Sequence, residues 1–247
     1  MDISQTIDRR LSRSALFGHL SAKEGESWTE RTVYITSESL RGKSSTPVLS
    51  GPVIEAIIKH VGISATGLVL FRREEEVEVI EPPVPVPMDA ILEDQNLLLL
   101  EDIFDDPPTV GVILLRLGRY AVGVLEGETL LATKTEGRYV KNRHKAGGSS
   151  QRRFERSRER LVRELYDKTC EVVRDIFAPK QSSIKHVFLG GEKHILNGFR
   201  KRCGFLEMMD ERVMTRILKV GEPNQTALES IHKEVFSSRL RTFRVSI

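Results

Sequence analysis

The chain has 247 residues, 39% of them hydrophobic and 30% charged, which is enough apolar material for a folded core in one large or two small domains. No stretch approaches the roughly 18–20 uninterrupted apolar residues needed to cross a bilayer. The amino terminus MDISQTIDRRLSRSALFGHL scatters charge where a secretory signal carries an apolar block, so a cytoplasmic protein without a membrane partner is expected. The net charge of +3 conceals an asymmetry: from Lys134 to Arg163 there are eleven Lys or Arg against three Glu, a local +8 that leaves −5 for the remainder.

In chain order, residues 1–31 are polar and predicted helical near Thr6–Leu20. Thr32–Thr36 (TVYIT), β-branched and aromatic, reads as a strand. Gly42–Pro47 reads as a loop, Pro52–Val61 as a short helix, and Leu68–Arg72 with Val77–Ile80 as strands paired across a charged turn. EPPVPVP (Glu81–Pro87) lacks ladder donors and is predicted to be an extended connector or edge. Glu74–Asp106 holds twelve Asp or Glu and no Lys or Arg, including Asp105-Asp106, and reads as a solvated surface or a shield against RNA. Trp28 and Tyr34 are expected in the core. The domain expectation is 1–105 and 106–247.

In the second part, Val110–Leu117, Tyr120–Leu125 and Thr129–Thr135 are three strand-like runs separated by Gly118 and by Glu126-Gly127, which suits antiparallel hairpins. Phe154, Leu161, Leu165, Thr169, Val172 and Ile176 recur at helical spacing, predicting a long amphipathic helix through Phe177 that ends at Pro179. Glu159–Arg163 and Glu164–Lys168 are favourable i,i+4 pairs on its outer side. A strand His186–Leu189, a tight Gly190-Gly191 turn, a helix Glu192–Arg202, a strand near Arg212–Val220 and a helix near Gln225–Arg239 complete the pattern. Locally paired strands followed by alternating strands and helices predict an α/β (α+β) fold, a mixed sheet flanked by helices. Cys170 and Cys203, without CxxC spacing, are expected as free buried thiols in a reducing compartment. His186 and His194 are expected in packed or surface roles, and no metal site or cofactor is implied.

The segment Arg138–Arg160, RYVKNRHKAGGSSQRRFERSRER, carries the chemistry. Gly147-Gly148 and Ser149-Ser150 give a backbone of low steric restraint between a strand and a long helix. Gln151 stands where the loop meets the helix, where backbone N–H groups lack intrahelical acceptors. Lys141, Arg143, His144 and Lys145 precede the tip; Arg152, Arg153, Arg156 and Arg160 follow it. Arginines bind phosphate by bidentate contacts and stack on bases, so this basic stalk with a neutral donor at its tip suits an RNA-walled cavity. His144, between two cations, is expected as an RNA contact rather than a general acid or base.

KAGGSSQRRFERSRERL resembles the Gly-Gly-Gln loop and arginine-rich helix of the middle domain of eukaryotic and archaeal class-1 release factors. It is similar still more to the Vms-like release-factor-like peptidyl-tRNA hydrolases of ribosome-associated quality control, whose loop reads Gly-Gly-Ser-Gln. The resemblance spans roughly residues 108–220 and implies that middle-domain fold, with Gly147, Gly148, Ser149, Ser150 and Gln151 as catalytic loop. It also implies the ribosomal large subunit with its peptidyl transferase centre, tRNA and rRNA as partners, with no DNA partner. Two serines precede the glutamine, one more than in the quality-control family. Neither the Asn-Ile-Lys-Ser motif nor a bacterial stop-codon tripeptide is present, nor is a long lysine-rich tail. The resemblance therefore implies codon-independent release of nascent chains from stalled ribosomes or large subunits. Two alternatives are an RNA or tRNA endonuclease on a related fold and a non-enzymatic ribosome or tRNA binder.

Overall fold

A computed structural model describes residues 2–22, 31–42, 51–73, 75–137 and 149–246, with the backbone alone at 149–154. The chain divides into two units, Met1–Pro107 with Val235–Ile247, and Pro108–Glu234. The C-terminal segment Val235–Ile247 groups with the first unit.

The first unit contains β1 (Asp2–Leu11), α1 (Arg13–Ser21), β2 (Arg31–Ile35), α2 (Ser37–Leu40), α3 (Pro52–Val61), β3 (Leu68–Arg73), β4 (Glu76–Glu81), β5 (Ala90–Glu93) and α4 (Leu98–Asp105). Trp28 and Pro47 lie outside the described residues. The last strand of the chain, Ser238–Ser246, joins these in an antiparallel sheet between β1 and β4, the rest of the order being β3, β2, β5. Alternate residues of the central strands enter opposite cores. Tyr34, Val69, Phe71 and Ile80 pack with α1 and α4, and Val33, Ile35, Leu68, Leu70, Val77 and Val79 pack with α3. Burial on both faces makes these strands near-continuous apolar runs, which is why they were legible. The Pro-rich connector turns inward, with Val84 and Val86 buried. Burial pushes the Tyr34 phenol above its ordinary range, and its hydroxyl donates to the Asn96 carbonyl at 2.8 Å.

Two expectations fail in this unit. Thr6–Leu11 is strand, and the helix begins only at Arg13, behind the Ser12 cap. Ile3, Ile7 and Leu11 recur every four residues, which mimics a helix. A register shift between Gln5 and Ile7 instead turns Ile3 toward the core holding Phe243 and Val245, and Leu11 toward the core holding Leu240. At the other terminus, the expected helix through Arg239 is replaced by short helices Gln225–Glu229 and His232–Val235 and then the strand. Its arginines obscured the strand pattern: Arg241 is buried, its guanidinium paired with Glu81 on β4, and Arg239 clasps Asp8 at 2.7–2.8 Å.

The second unit contains β6 (Thr109–Arg116), β7 (Arg119–Glu126), β8 (Thr129–Gly137), α5 (Ser149–Phe177), β9 (His186–Gly191), α6 (Lys193–Arg200), α7 (Gly204–Glu207), β10 (Val213–Leu218) and α8 (Gln225–Glu229). Its sheet runs β10-β9-β6-β7-β8, with β6, β9 and β10 parallel and the β6–β7–β8 meander antiparallel. With the remaining short helix α9 (His232–Val235) and the C-terminal strand β11 (Ser238–Ser246), both units are mixed α/β, sheets flanked by helices.

Gly190-Gly191 is not a free turn: both residues stay in register with Leu114 and Leu115, and a Cβ on Gly191 would stand 2.0 Å from the Leu115 carbonyl oxygen. Cys170 and Cys203 form a disulfide, contrary to the expectation of free thiols. The fold lays α5 against the α6–α7 corner and brings their Cα atoms to 5.3 Å, a proximity invisible across 33 residues of sequence. In the chain-entropy account, closing a loop of that length stabilises by about 3.7 kcal/mol. Cys203→Ser should therefore lower unfolding stability by about 3–4 kcal/mol, measured by denaturant titration under non-reducing conditions, and the difference should vanish when both proteins are reduced.

Candidate functional site

α5 is 29 residues long, about 43 Å, and its two halves differ. From Leu165 onward it is rooted: Leu165, Tyr166, Thr169, Val172, Val173 and Phe177 are buried against the second unit's sheet, and the Thr169 hydroxyl satisfies itself on the Leu165 carbonyl at 2.7 Å. Gly111 on β6 makes the deepest contact possible, because a Cβ there would meet the Phe177 ring at 2.6 Å. Tyr166 lies over Gly198 and tilts against Phe199 of α6, ring centroids 6.2 Å apart, and burial raises its phenol pKa. Arg202 grips Asp167 through two hydrogen bonds, the second at 2.7 Å, which hold the Asp167 carboxyl below its ordinary range.

From Glu155 to Glu164, by contrast, no residue is buried. Arg156, Arg160 and Arg163 are exposed; Arg160 has one loose partner, Glu164 at 3.6 Å, and Arg156 and Arg163 have no ion pair among the described residues. Ion pairs along the helix include Arg160–Glu164 and Lys168–Glu171, rather than the expected Glu164–Lys168. About 24 Å of helix separates Ser149 from Leu165.

Ser149, Ser150 and Gln151 open α5, so the Gln151 backbone N–H falls in the first turn, which has no intrahelical acceptors. Arg152 and Arg153 follow in the helix. Lys141, Arg143, His144, Lys145, Gly147 and Gly148 lie outside the described residues, between Gly137 of β8 and Ser149. The base of that segment is held at its strand end. Tyr120, buried on β7, donates to Glu136 Oε2 at 2.7 Å, and Arg119 pairs with Gly137 across the ladder while its side chain reaches Glu222 at 2.8 Å. Glu136 is the single acidic residue between Glu128 and Glu155. Sequence reasoning missed this clamp; the hairpin register that opposes Tyr120 to Glu136 was the available signal.

The remaining candidates are dispersed. His194 is exposed, 3.6 Å from Glu192, and His186 is half-buried at the opposite end of β9. Asp105 pairs with Arg13. Among the described residues no group of three or more His, Cys, Asp or Glu could hold a metal ion, and no helix is long and apolar enough to cross a membrane.

A model of the Actinobacteria/chloroflexi VLRF1 release factor family matches residues 108–241. Peptide chain release factor subunit 1 of Picrophilus torridus is 30% identical over 232 residues, 87% of this chain and 56% of that protein. The same factor of Aeropyrum pernix is 31% identical over 135 residues, 51% of this chain and 36% of that protein. The chain thus spans about a third to just over half of these relatives. Among solved structures, the Vms1 mitochondrial localization core overlaps 83% of this chain and 89% of its own, at 14% identity and a TM-score of 0.43. The archaeal translation termination factor aRF1 overlaps 92% of this chain and 73% of its own, at 17% identity and a TM-score of 0.42.

His186 supplies a pH test of the second unit. Burial, then the neighbouring Lys185, holds its pKa below the ordinary value of about 6.5. The unfolded chain thus binds more protons than the folded one in that range, and stability falls as pH drops from about 6.5 through the lower folded value. Unfolding midpoints measured from alkaline to mildly acidic pH should decline more steeply for the natural protein than for His186→Gln; parallel curves would contradict the assignment.

Proposed function

The chain belongs to the Actinobacteria/chloroflexi VLRF1 release factor family, and from that premise we propose that it is a cytoplasmic, codon-independent peptidyl-tRNA hydrolase that releases nascent chains from stalled ribosomes or large subunits. The observation that carries the reading is the two-part helix: α5 is anchored from Leu165 onward, while the arginine-bearing turns before it stand free of the core. Ser149–Gln151 form the amino end of that free portion.

In this reading Arg156 and Arg160, with Lys141, Arg143, His144, Lys145, Arg152 and Arg153, bind tRNA and ribosomal RNA phosphates. Gly147 and Gly148 allow the tip to enter the peptidyl transferase centre, and Ser149 and Ser150 set the distance to Gln151. Water attacks the peptidyl ester carbonyl, and the resulting tetrahedral intermediate collapses with cleavage of the ester C–O bond. The peptide leaves as a carboxylic acid and the tRNA keeps its 3′-terminal hydroxyl, which takes up the proton lost by water. The Gln151 backbone N–H stabilises the developing oxyanion or leaving oxygen, and its side chain shapes the water site. One preorganised donor of this kind contributes about 3–4 kcal/mol, or roughly 10²–10³ in rate.

Purified protein added to stalled large-subunit peptidyl-tRNA complexes should yield free peptide and intact tRNA. Gln151→Pro deletes the proposed donor at a first-turn position where the helix does not use it. It should slow release by roughly 10²–10³ while leaving cosedimentation with the subunit intact. Shortened tRNA in this assay would instead identify an endonuclease, and binding without any release a non-enzymatic binder.

A further inference from the structure

The parallel and antiparallel registers of the second unit's sheet bring the carboxyl ends of β6, β8, β9 and β10 to one end. The catalytic segment leaves the sheet from the β8 terminus, at Gly137. At the same end, over β6, β9 and β10, opens a crevice of about 470 Å³ whose walls include Arg116, Gly191, Glu192, Ile217, Lys219 and Val220. Strands stand about 4.8 Å apart, so β6 is roughly 10 Å from β8 and β10 roughly 19 Å.

The chemistry of its walls is specific. Arg116 Nη2 donates to the Val220 carbonyl at 2.9 Å, which fixes the guanidinium in place, while its Nε is buried without a hydrogen-bond partner among the described residues. An incompletely satisfied cation of this kind calls for an explanation. The Lys219 side chain is exposed and has no ion pair among the described residues. Ile217 is 36% exposed, an apolar surface beside two cations. Glu192, the one acid in the wall, faces His194 at 3.6 Å. Of the glycine pair, Gly191 lines the crevice, and a Cβ there would strike the Leu115 backbone.

We propose that this crevice is a second RNA-binding subsite, which takes one nucleotide of a single strand: its phosphate on Arg116 and Lys219, its base against Ile217. Its volume fits a nucleotide, and two cations beside an apolar wall match a phosphate joined to a base face. Its place at the loop-bearing end of the sheet would hold a strand a few nucleotides from the segment that enters the catalytic centre. The inference rests on the reading of the partner as RNA, and it does not require hydrolysis.

The test is fluorescence anisotropy of the full chain with a short labelled oligouridylate, titrated at several salt concentrations. The double variant Arg116→Gln/Lys219→Gln should bind at least about fivefold more weakly. Its log–log salt slope should be shallower by about 0.7–1.4, one to two single-strand phosphate charges. Ile217→Ser should weaken binding about threefold or more without changing the slope, as loss of a base contact does. If Arg116→Gln disturbs folding through the Val220 carbonyl, Lys219→Gln and Ile217→Ser, both at exposed side chains, carry the same test. Crevice variants that bind as the natural protein does, while Arg156→Glu/Arg160→Glu abolishes binding, would overturn the subsite and leave the hydrolase reading standing. Equal competition by polyglutamate and by unlabelled RNA would also overturn it, by assigning the crevice to acidic peptides. Absence of any RNA binding by the natural protein would overturn both readings.

Discussion

Everything in the second unit is arranged around the seating of one helix. α5 is fixed at its carboxyl half by Phe177 in the space left at Gly111, by Tyr166 over Gly198, by the Asp167–Arg202 clasp and by the Cys170–Cys203 bridge. Full burial of a side chain such as Phe177 contributes about 1.5–3 kcal/mol, and several such contacts lie within four turns. A helix rooted this firmly can carry three turns of arginines without core support. Without the root, the same sequence would be a charged segment with little to hold its shape, because isolated helices depend on packing more than on propensity.

Charge is handled differently in the two units. In the first, ionic groups are used internally: Glu78, 1% exposed, meets His19 at 2.8 Å, Glu81 holds Arg241, and Asp8 holds Arg239 and is kept below its ordinary pKa by it. The pairs at Glu78 and Arg241 satisfy charges that the sheet buries, whereas Asp8–Arg239 lies at the surface, and their contribution lies in placement more than in net stability. In the second unit Arg156 and Arg163 are left to solvent without ion partners among the described residues. Exposed surplus cations gain little for the fold, so a polyanion is their natural counterpart.

The meander of the second unit and the long helix were legible because their signals are local. VGVILLRL, YAVGVL and TLLATKT are short runs between glycine-bearing turns, and α5 repeats its apolar residues over many turns. What the sequence hid depends on contacts distant in the chain. The amino-terminal strand disguises itself through a register shift that splits Ile3 from Leu11, and the carboxyl-terminal strand interleaves Arg239 and Arg241 with its apolar residues because Asp8 and Glu81 await them. The disulfide, the Tyr120–Glu136 clamp and the crevice at Arg116 and Lys219 likewise exist only once non-adjacent elements meet. Gly190-Gly191 reads as a turn for the same reason, since only the closeness of Leu115 makes glycine necessary in the strand. At the candidate site the sequence supplied the expectation of the loop and its cations, most of which lie outside the described residues, whereas the division of α5 into root and free arm required the sheet.

The central claim is that the free end of α5 delivers Gln151 to the acceptor end of a ribosome-held tRNA. An electron cryomicroscopy reconstruction of the protein on a stalled large subunit carrying peptidyl-tRNA tests it most directly. The account predicts α5 directed into the peptidyl transferase centre, with the Gln151 amide within hydrogen-bond distance of the terminal ester and Arg156 and Arg160 on RNA phosphates. A bound protein whose α5 amino end points away from the tRNA would contradict it.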